Sequence, residues 1–530
     1  MVEIYQDDAL TPEQVATTVA TLKALAPTLK FSSQAQALGK RANTVSGVVA
    51  DEGHKDSLRA RSRRRMDAQE MASKGGRAKQ VVENLREKDQ PLHVRLRVAR
   101  LRRFQMQDTA ARLAGEYLGR DNRARKDRVG HCLRVLTNVA SGVECRYVPG
   151  AGSAHYRGLQ TCGSVWHCPV CAARISERRR DELARIVAAH VAAGGSVWMT
   201  TYTVAHKKAD DLAALVEKFL AARRKMRMGR RGIALRECFG VIGTVSVLEV
   251  TWSPRHGWHP HVHELVFSSQ ADMNPDAYEA LARVAWKDAA GKMGLKMNAH
   301  GFKIDRTFGA VADYIAKFGH EPESKHVWGV ESEVAKGHVK QSRDKDGMTP
   351  FGLLAAATDG LDWAAPLWQE FCRVFKGRKQ LNYSPGLKAM YQVADETDEE
   401  IASAGETQEA VTLVELSPAQ WDQVTEAAAR GGVLELTRTG RPGYLVAGLA
   451  EIGIETAPVD MVGWRVSGPD GPGEVDYVGA AEHAPGGWRI WIYLDGPGSL
   501  DSRLRVYPLW DVEVLSDGSQ ERAALLADVS

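Results

Sequence analysis

GVIGTVSVLEVTW (240–252), SPRHG (253–257) and WHPHVHELVF (258–267) read together as one long β-hairpin. The outer runs are rich in Val, Thr and aromatic residues, and the Ser-Pro-Arg-His-Gly cluster between them is a turn signal. Side chains alternate across a strand, so His259, His261 and His263 share one face, which continues into Leu265 and Phe267. Three histidines running into a core face are costly unless something binds them; a solvated polar face is the plain alternative. Two imidazoles at i and i+2 on a rigid strand can share one divalent ion through neutral ring nitrogens. A hard or borderline ion also calls for a carboxylate, and Glu249 on the preceding strand is the donor the hairpin brings near. Glu264 points to the opposite face. Two histidines and one carboxylate leave coordination positions open for water or phosphate oxygens.

Outward from the hairpin, helices and strands alternate. Residues 176–195 (SERRRDELARIVAAHVAAGG) read as a helix with a Ser cap and a Gly-Gly stop, followed by the strand SVWMTTYTV (196–204) and a second helix over 209–229. After the hairpin come a helix over Pro275–Lys292, a short strand GFKIDRTF (301–308) and the helix GAVADYIAKFG (309–319). A long polar loop over 321–350 and a helix around Leu361–Phe375 close this stretch. The order α-β-α-β-β-α-β-α predicts an α+β class: a central antiparallel sheet with helices packed on one face. Tyr314 and Lys317 stand at i and i+3, on one face of the short helix. A phenol is a poor nucleophile at neutral pH, and a neighbouring ammonium would assist it. In isolation, Tyr-x-x-Lys is more often amphipathic packing.

Cys162, Cys168 and Cys171 in CGSVWHCPVC (162–171) have the spacing of a zinc knuckle, where two thiolates on a tight turn hold one ion. A tetrahedral site needs a fourth ligand, and Cys132, Cys145 and His167 are the candidates. Reduced core cysteines are the alternative. Cys238 and Cys372 are isolated and read as packing residues.

The 530 residues exceed one ordinary domain, and 44% apolar composition is enough to build a core. The net charge of +4 conceals an asymmetry: from Asp395 onward there are 25 acidic and 8 basic residues, so residues 1–394 carry a net +21. RARSRRR (59–65) and HVRLRVARLRR (93–103) concentrate that charge. Such a layout suits a polyanion partner, although a solvated basic arm has the same composition. No apolar run approaches the roughly 20 residues that span a bilayer, and the N-terminus lacks the pattern of a signal peptide. A cytoplasmic protein with no membrane partner is expected. Its cysteines would be reduced, which favours metal over disulfides.

These motifs in this order resemble the HUH endonucleases. Here the two histidines flank Val262, a Thr-rich strand (Met199–Thr203) precedes them and the Tyr-x-x-Lys helix follows. Within that superfamily CGSVWHCPVC, GWHPHVHELVF (257–267), TPFGLL (349–354) and LNYSPGLK (381–388) are similar to the rolling-circle initiators of small bacterial plasmids, over about Val129–Lys388. The resemblance implies the HUH fold and a metal-dependent nickase. His261, His263 and Glu249 would bind Mg²⁺ or Mn²⁺. Tyr314 would attack the scissile phosphate, giving a 5′-phosphotyrosine and a free 3′-OH primer, with rejoining later. Lys317 would orient or charge-stabilise the phenol and phosphate. Cys132 matches a family cysteine and becomes the first choice to complete a structural Zn²⁺ site with Cys162, Cys168 and Cys171.

The implied partners are plasmid origin DNA, single-stranded at the nick site, and a host helicase and polymerase, since no P-loop signature occurs in the sequence. The expected organisation is an N-terminal region with a basic arm (1–125), a zinc-binding segment (126–175), the nicking domain (176–390), an acidic linker (391–410) and a small β-rich domain of unassigned role (411–530). Two rival readings are a transposase or relaxase of the same superfamily, and a zinc-dependent DNA-binding regulator without catalysis.

Overall fold

The hairpin forms the middle of a five-stranded antiparallel sheet. The computed structural model describes residues 92–118, 124–138, 141–305, 347–404, 410–462, 464–480, 488–496 and 499–517. The strands are β1 (Ser196–Tyr202), β2 (Val241–Ser253), β3 (Gly257–Ser268), β4 (Phe302–Asp305) and β5 (Leu381–Tyr383). Their order is β4-β1-β3-β2-β5, which puts the histidine strand in the centre. Ser253 pairs with Gly257 across the turn, and Glu249 pairs with His261. Gly257 has φ +74°, and a Cβ there would lie 2.9 Å from the Lys208 Cα, so the turn requires glycine.

The chain divides into two units, and the first comprises Val94–Val135 and Leu159–Gly405. It is an α+β unit whose helices are α1 (Leu92–Ala114), α2 (Pro169–Ala192), α3 (Leu212–Met228), α4 (Arg230–Cys238), α5 (Pro275–Lys292), α6 (Pro350–Thr358), α7 (Ala364–Phe375) and α8 (Asp398–Ser403). On one sheet face, Leu183, Ile186 and Val187 of α2 pack with Val197, Met199, Val245, Val247, Leu265 and Phe267. Burying each such side chain stabilises the fold by about 1.5–3 kcal/mol. On the other face Trp286 of α5 meets Tyr202 of β1 and Phe219 of α3, at centroid distances of 5.5 and 5.6 Å. The sequence pointed to helices on one face only. The structure has them on both, because the central strands are apolar on both sides: Leu248, Val262 and Val266 are buried as fully as Val247 and Leu265.

Two further expectations change. Helix α2 starts at Pro169 rather than after Ser176. Cys168 is its N-cap, with Sγ accepting the Cys171 N–H at 3.5 Å, and Pro169 fits the first turn, where its missing N–H costs nothing. Part of the stretch read as an acidic linker is folded. Thr397 and Glu400 form a capping box on α8, Ile401 and Ala402 are buried, and Arg178 and Arg179 of α2 bind Glu396 and Asp398.

The basic stretch is described only from residue 92. From there it is helix α1, with Ala99, Phe104, Met106, Gln107 and Ala110 buried. Arg102 of α1 pairs with Asp359, and Asp108 with Arg134. The arginines of 59–65 lie outside the described residues.

The second unit includes Leu136–Gly158 and Glu406–Ser530. Val411–Leu416, Val143–Val148 and Ser153–Arg157 form a three-stranded antiparallel sheet in that order. A five-stranded antiparallel sheet follows, in which Arg465–Gly468 lies between Gly471–Ala480 and Glu513–Ser516. The short helix expected near Pro418–Arg430 is present as Pro418–Glu426, but residues 411–530 are not otherwise simply β-rich, because Arg430–Thr437 and Pro442–Ala450 are helices too. The segment 126–175, read as a single zinc-binding piece, supplies strands to this unit and cysteines to the first. Among the described residues no helix is long and apolar enough to cross a membrane.

Candidate metal centres

The pairing of β2 with β3 sets Glu249 directly opposite His261. Glu249 is 2% exposed; its Oε2 lies 2.9 Å from His261 Nε2 and 3.3 Å from His263 Nε2. His261 Nδ1 is 3.2 Å from the His259 carbonyl, which can only accept, so that nitrogen carries the proton. Nε2 is then the ring nitrogen that faces the carboxylate oxygen. Two acceptors this close require a cation between them, either a proton or a metal ion. The residues fit a small divalent ion: ligand atoms about 2.1 Å from an octahedral ion lie roughly 3 Å apart. His263 is oriented from behind by Thr201 of β1, its cross-strand partner, with Oγ1 2.9 Å from Nδ1. Burial alone would raise the Glu249 pKa, but the adjacent His263 and His261 outweigh it and hold the carboxyl at about 2. The Glu249 carboxylate is thus ionised across the physiological range.

His259 lies on the same face and stacks on His261 at 5.2 Å, but it is outside the ligand group. Its Nδ1 is 3.3 Å from Nδ1 of His206, and burial with neighbouring imidazoles pushes its pKa down to about 3. Glu264 faces the other way and is held by Arg223 at 2.5 Å and by the Tyr202 hydroxyl at 3.3 Å.

The second group is Cys132, Cys162, Cys168 and Cys171, all buried and none in a disulfide. Cys171 Sγ lies 3.5 Å from Cys132 and 3.7 Å from Cys162, and Cys168 lies 3.7 Å from Cys132. Four thiolates at about 2.3 Å from a tetrahedral zinc stand roughly 3.8 Å apart, so the spacing suits that ion. The other cysteines beside Cys171, Cys132 foremost, hold its thiol well below the ordinary value, while Cys132 pushes the Cys162 thiol up and burial does the same to Cys168. Backbone N–H groups of Ser164 and Cys171 point at Cys162 and Cys168, and Gln107 of α1 donates Nε2–H to Cys168 Sγ at 3.3 Å. The other fourth-ligand candidates stand elsewhere. Cys145 belongs to the second unit, where burial pushes its thiol up to about 12. His167 turns Nδ1 to Asp127 at 3.2 Å.

Tyr314 and Lys317 lie outside the described residues, so the described site comprises Glu249, His261 and His263 with their supports. Thr201 and His206 were missed as parts of it. Alternation and pairing with β3 would have pointed to Thr201; His206 stands beyond the strand end and carries no local signal.

No family model matches the chain, and no solved structure matches it. It is similar to a Streptomyces lividans protein named "Protein rep", with 26% identity over 361 residues, 54% of this chain and 76% of that protein. It is also similar to a "Neomycin resistance protein" of Streptomyces cyanogenus, with 30% identity over 140 residues, 22% of this chain and 32% of that one.

Proposed function

We propose that the chain is a plasmid rolling-circle replication initiator of the HUH type, which nicks one strand of its origin and stays joined to it through Tyr314. The observation that carries this reading is the Glu249–His261–His263 group on the central strands of an antiparallel sheet. The name of the Streptomyces lividans relative supports a replication role.

Glu249, His261 and His263 would hold Mg²⁺ or Mn²⁺, which when bound supplies Lewis-acid polarisation of a phosphate oxygen. Thr201 and the His259 carbonyl fix the two ring orientations that this needs. Tyr314 supplies the phenol oxygen that bonds to phosphorus as the bond to the 3′ oxygen breaks, and the phenolic proton ends on the departing 3′-OH. Lys317 places positive charge beside the attacking oxygen and the phosphate. Cys132, Cys162, Cys168 and Cys171 would hold a structural zinc that ties α1 and α2 together and takes no part in the chemistry. Strand separation and synthesis would fall to a host helicase and polymerase.

The test is conversion of supercoiled origin plasmid to open circles. The reading expects conversion with Mn²⁺, none with chelator, and none for His261→Ala. Conversion that ignores chelator would remove the metal centre from the mechanism.

A further inference from the structure

The segment 377–385 separates two clefts of the first unit, and their charges are treated differently. On one side the acidic stretch 395–399 lies against the basic residues: Lys388 pairs with Asp395 and Glu182, Arg179 with Asp398, and Arg128 with Glu399. In that cleft these cations are matched by carboxylates, and Arg378 and Lys379 line its boundary with the second cleft. On the other side is a cleft of about 850 Å³ between this segment and helices α3 and α4. Arg224, Arg227, Arg236, Arg378 and Lys379 converge on it. Among the described residues its one lining carboxylate, Glu264, is already bound by the buried Arg223.

Among the described residues no ion pair holds any of those five cations. Arg236 donates to the Arg227 carbonyl and Arg378 to the Val374 carbonyl, contacts that orient a guanidinium without cancelling its charge. Like charges gathered from separate segments repel unless a polyanion sits among them. The floor of the cleft is the β2 face carrying Ile242, Thr244, Ser246 and Leu248. It offers hydroxyls and apolar surface side by side, which suits sugar–phosphate and base edges together. A volume of about 850 Å³ has room for a few nucleotides of one strand. Leu248, Val262 and Glu264 stand on the sheet face opposite to Glu249, His261 and His263.

We propose that the cleft between α3–α4 and residues 377–385 is a groove for a single DNA strand, on the opposite face of the sheet from the metal centre. The identification of DNA as the occupant rests on the initiator reading. The groove holds phosphates by charge, so it binds without sequence preference and without metal. Strand held there is kept apart from the nicking chemistry.

The experiment is fluorescence anisotropy of a labelled oligothymidine lacking any origin sequence, in chelator, across a salt series. The protein is the full chain carrying Tyr314→Phe, so the readout does not depend on nicking. Arg224→Ala/Arg227→Ala/Arg236→Ala is expected to lower affinity at least tenfold. It should also flatten the slope of log K against log salt by about 2, since each single-strand phosphate contact contributes about 0.7. The Arg→Lys triple variant should keep both, and unchanged Mn²⁺ binding by the alanine variant would show that the sheet is intact. Bromodeoxyuridine cross-links should map to peptides around 224–248 or 376–385. Unchanged affinity and slope, equal losses on a duplex of the same length, or cross-links confined to 249–263 would overturn the groove.

Discussion

Glu249 and His261 face each other across neighbouring strands, Oε2 to Nε2 at 2.9 Å, while the Nδ1 proton of His261 is committed to the His259 carbonyl. The backbone carbonyl thus holds the ring so that Nε2 is the nitrogen turned toward Glu249. Glu249→Gln keeps the shape and removes the charge; it should weaken Mn²⁺ binding at least tenfold, and His261→Ala should weaken it further. Isothermal titration measures both, and unchanged affinity in the two variants would refute the site.

The cysteine group should carry one zinc per purified chain, distinct from the ion at Glu249. Thiolates favour zinc, and in such sites binding energy is folding energy. Cys171→Ser should lose the zinc and lower Tm. Gln107→Ala removes the donor to Cys168 from a buried position and should lower Tm less than Cys171→Ser does, with zinc retained. Elemental analysis with thermal melts reads both effects, and a zinc-free, fully stable wild-type preparation would contradict the assignment.

Helix α1 makes the basic stretch divisible. Removing residues 1–91 should leave the first unit folded and reduce the salt dependence of DNA binding, because RARSRRR (59–65) goes with it. Extending the deletion to 107 removes Phe104, Met106 and Gln107 from buried positions and should lower solubility and Tm sharply. Equal stability of the two truncations would show that α1 does not hold the unit together.

Asp127 accepts from His167, Lys376 and the Val129 N–H. Burial works against its charge, but these partners outweigh it and hold the carboxyl well below the ordinary aspartate range. Because the folded-state pKa is the lower one, the stabilisation is complete above about pH 4 and is lost as pH falls through the depressed value. Asp127→Asn should therefore cost about 1–3 kcal/mol at pH 7, and the deficit should shrink progressively below pH 4. Denaturant melts at pH 7 and pH 3 provide the comparison; a deficit that grows on acidification would reverse the assigned sign.

The hairpin was legible because two local signals agree: runs rich in Val, Thr and aromatic residues on either side and a turn cluster at 253–257. Pro275–Lys292 was read to the residue, with Asn274 capping it and proline in its first turn. What was missed is non-local or fully buried. Arg178 and Arg179 meet acidic partners more than 200 residues away, so 395–400 looked like solvated linker. Arg430–Thr437 and Pro442–Ala450 are buried on nearly every side, so they show no amphipathic period, and their glycines mimic loop punctuation. The candidate ligands Glu249, His261 and His263 were visible as a short spacing, whereas Thr201 depends on the β1–β3 register and His206 on where the chain turns after β1.

Incubation of the full chain with supercoiled origin DNA, followed by a denaturing gel and peptide mass spectrometry, tests the central claim directly. The account predicts a protein–DNA adduct that needs Mn²⁺, maps to Tyr314 and disappears in Tyr314→Phe, while duplex binding stays nearly intact. An adduct that persists in Tyr314→Phe, or nicked DNA with no covalently attached protein in the wild type, would contradict it.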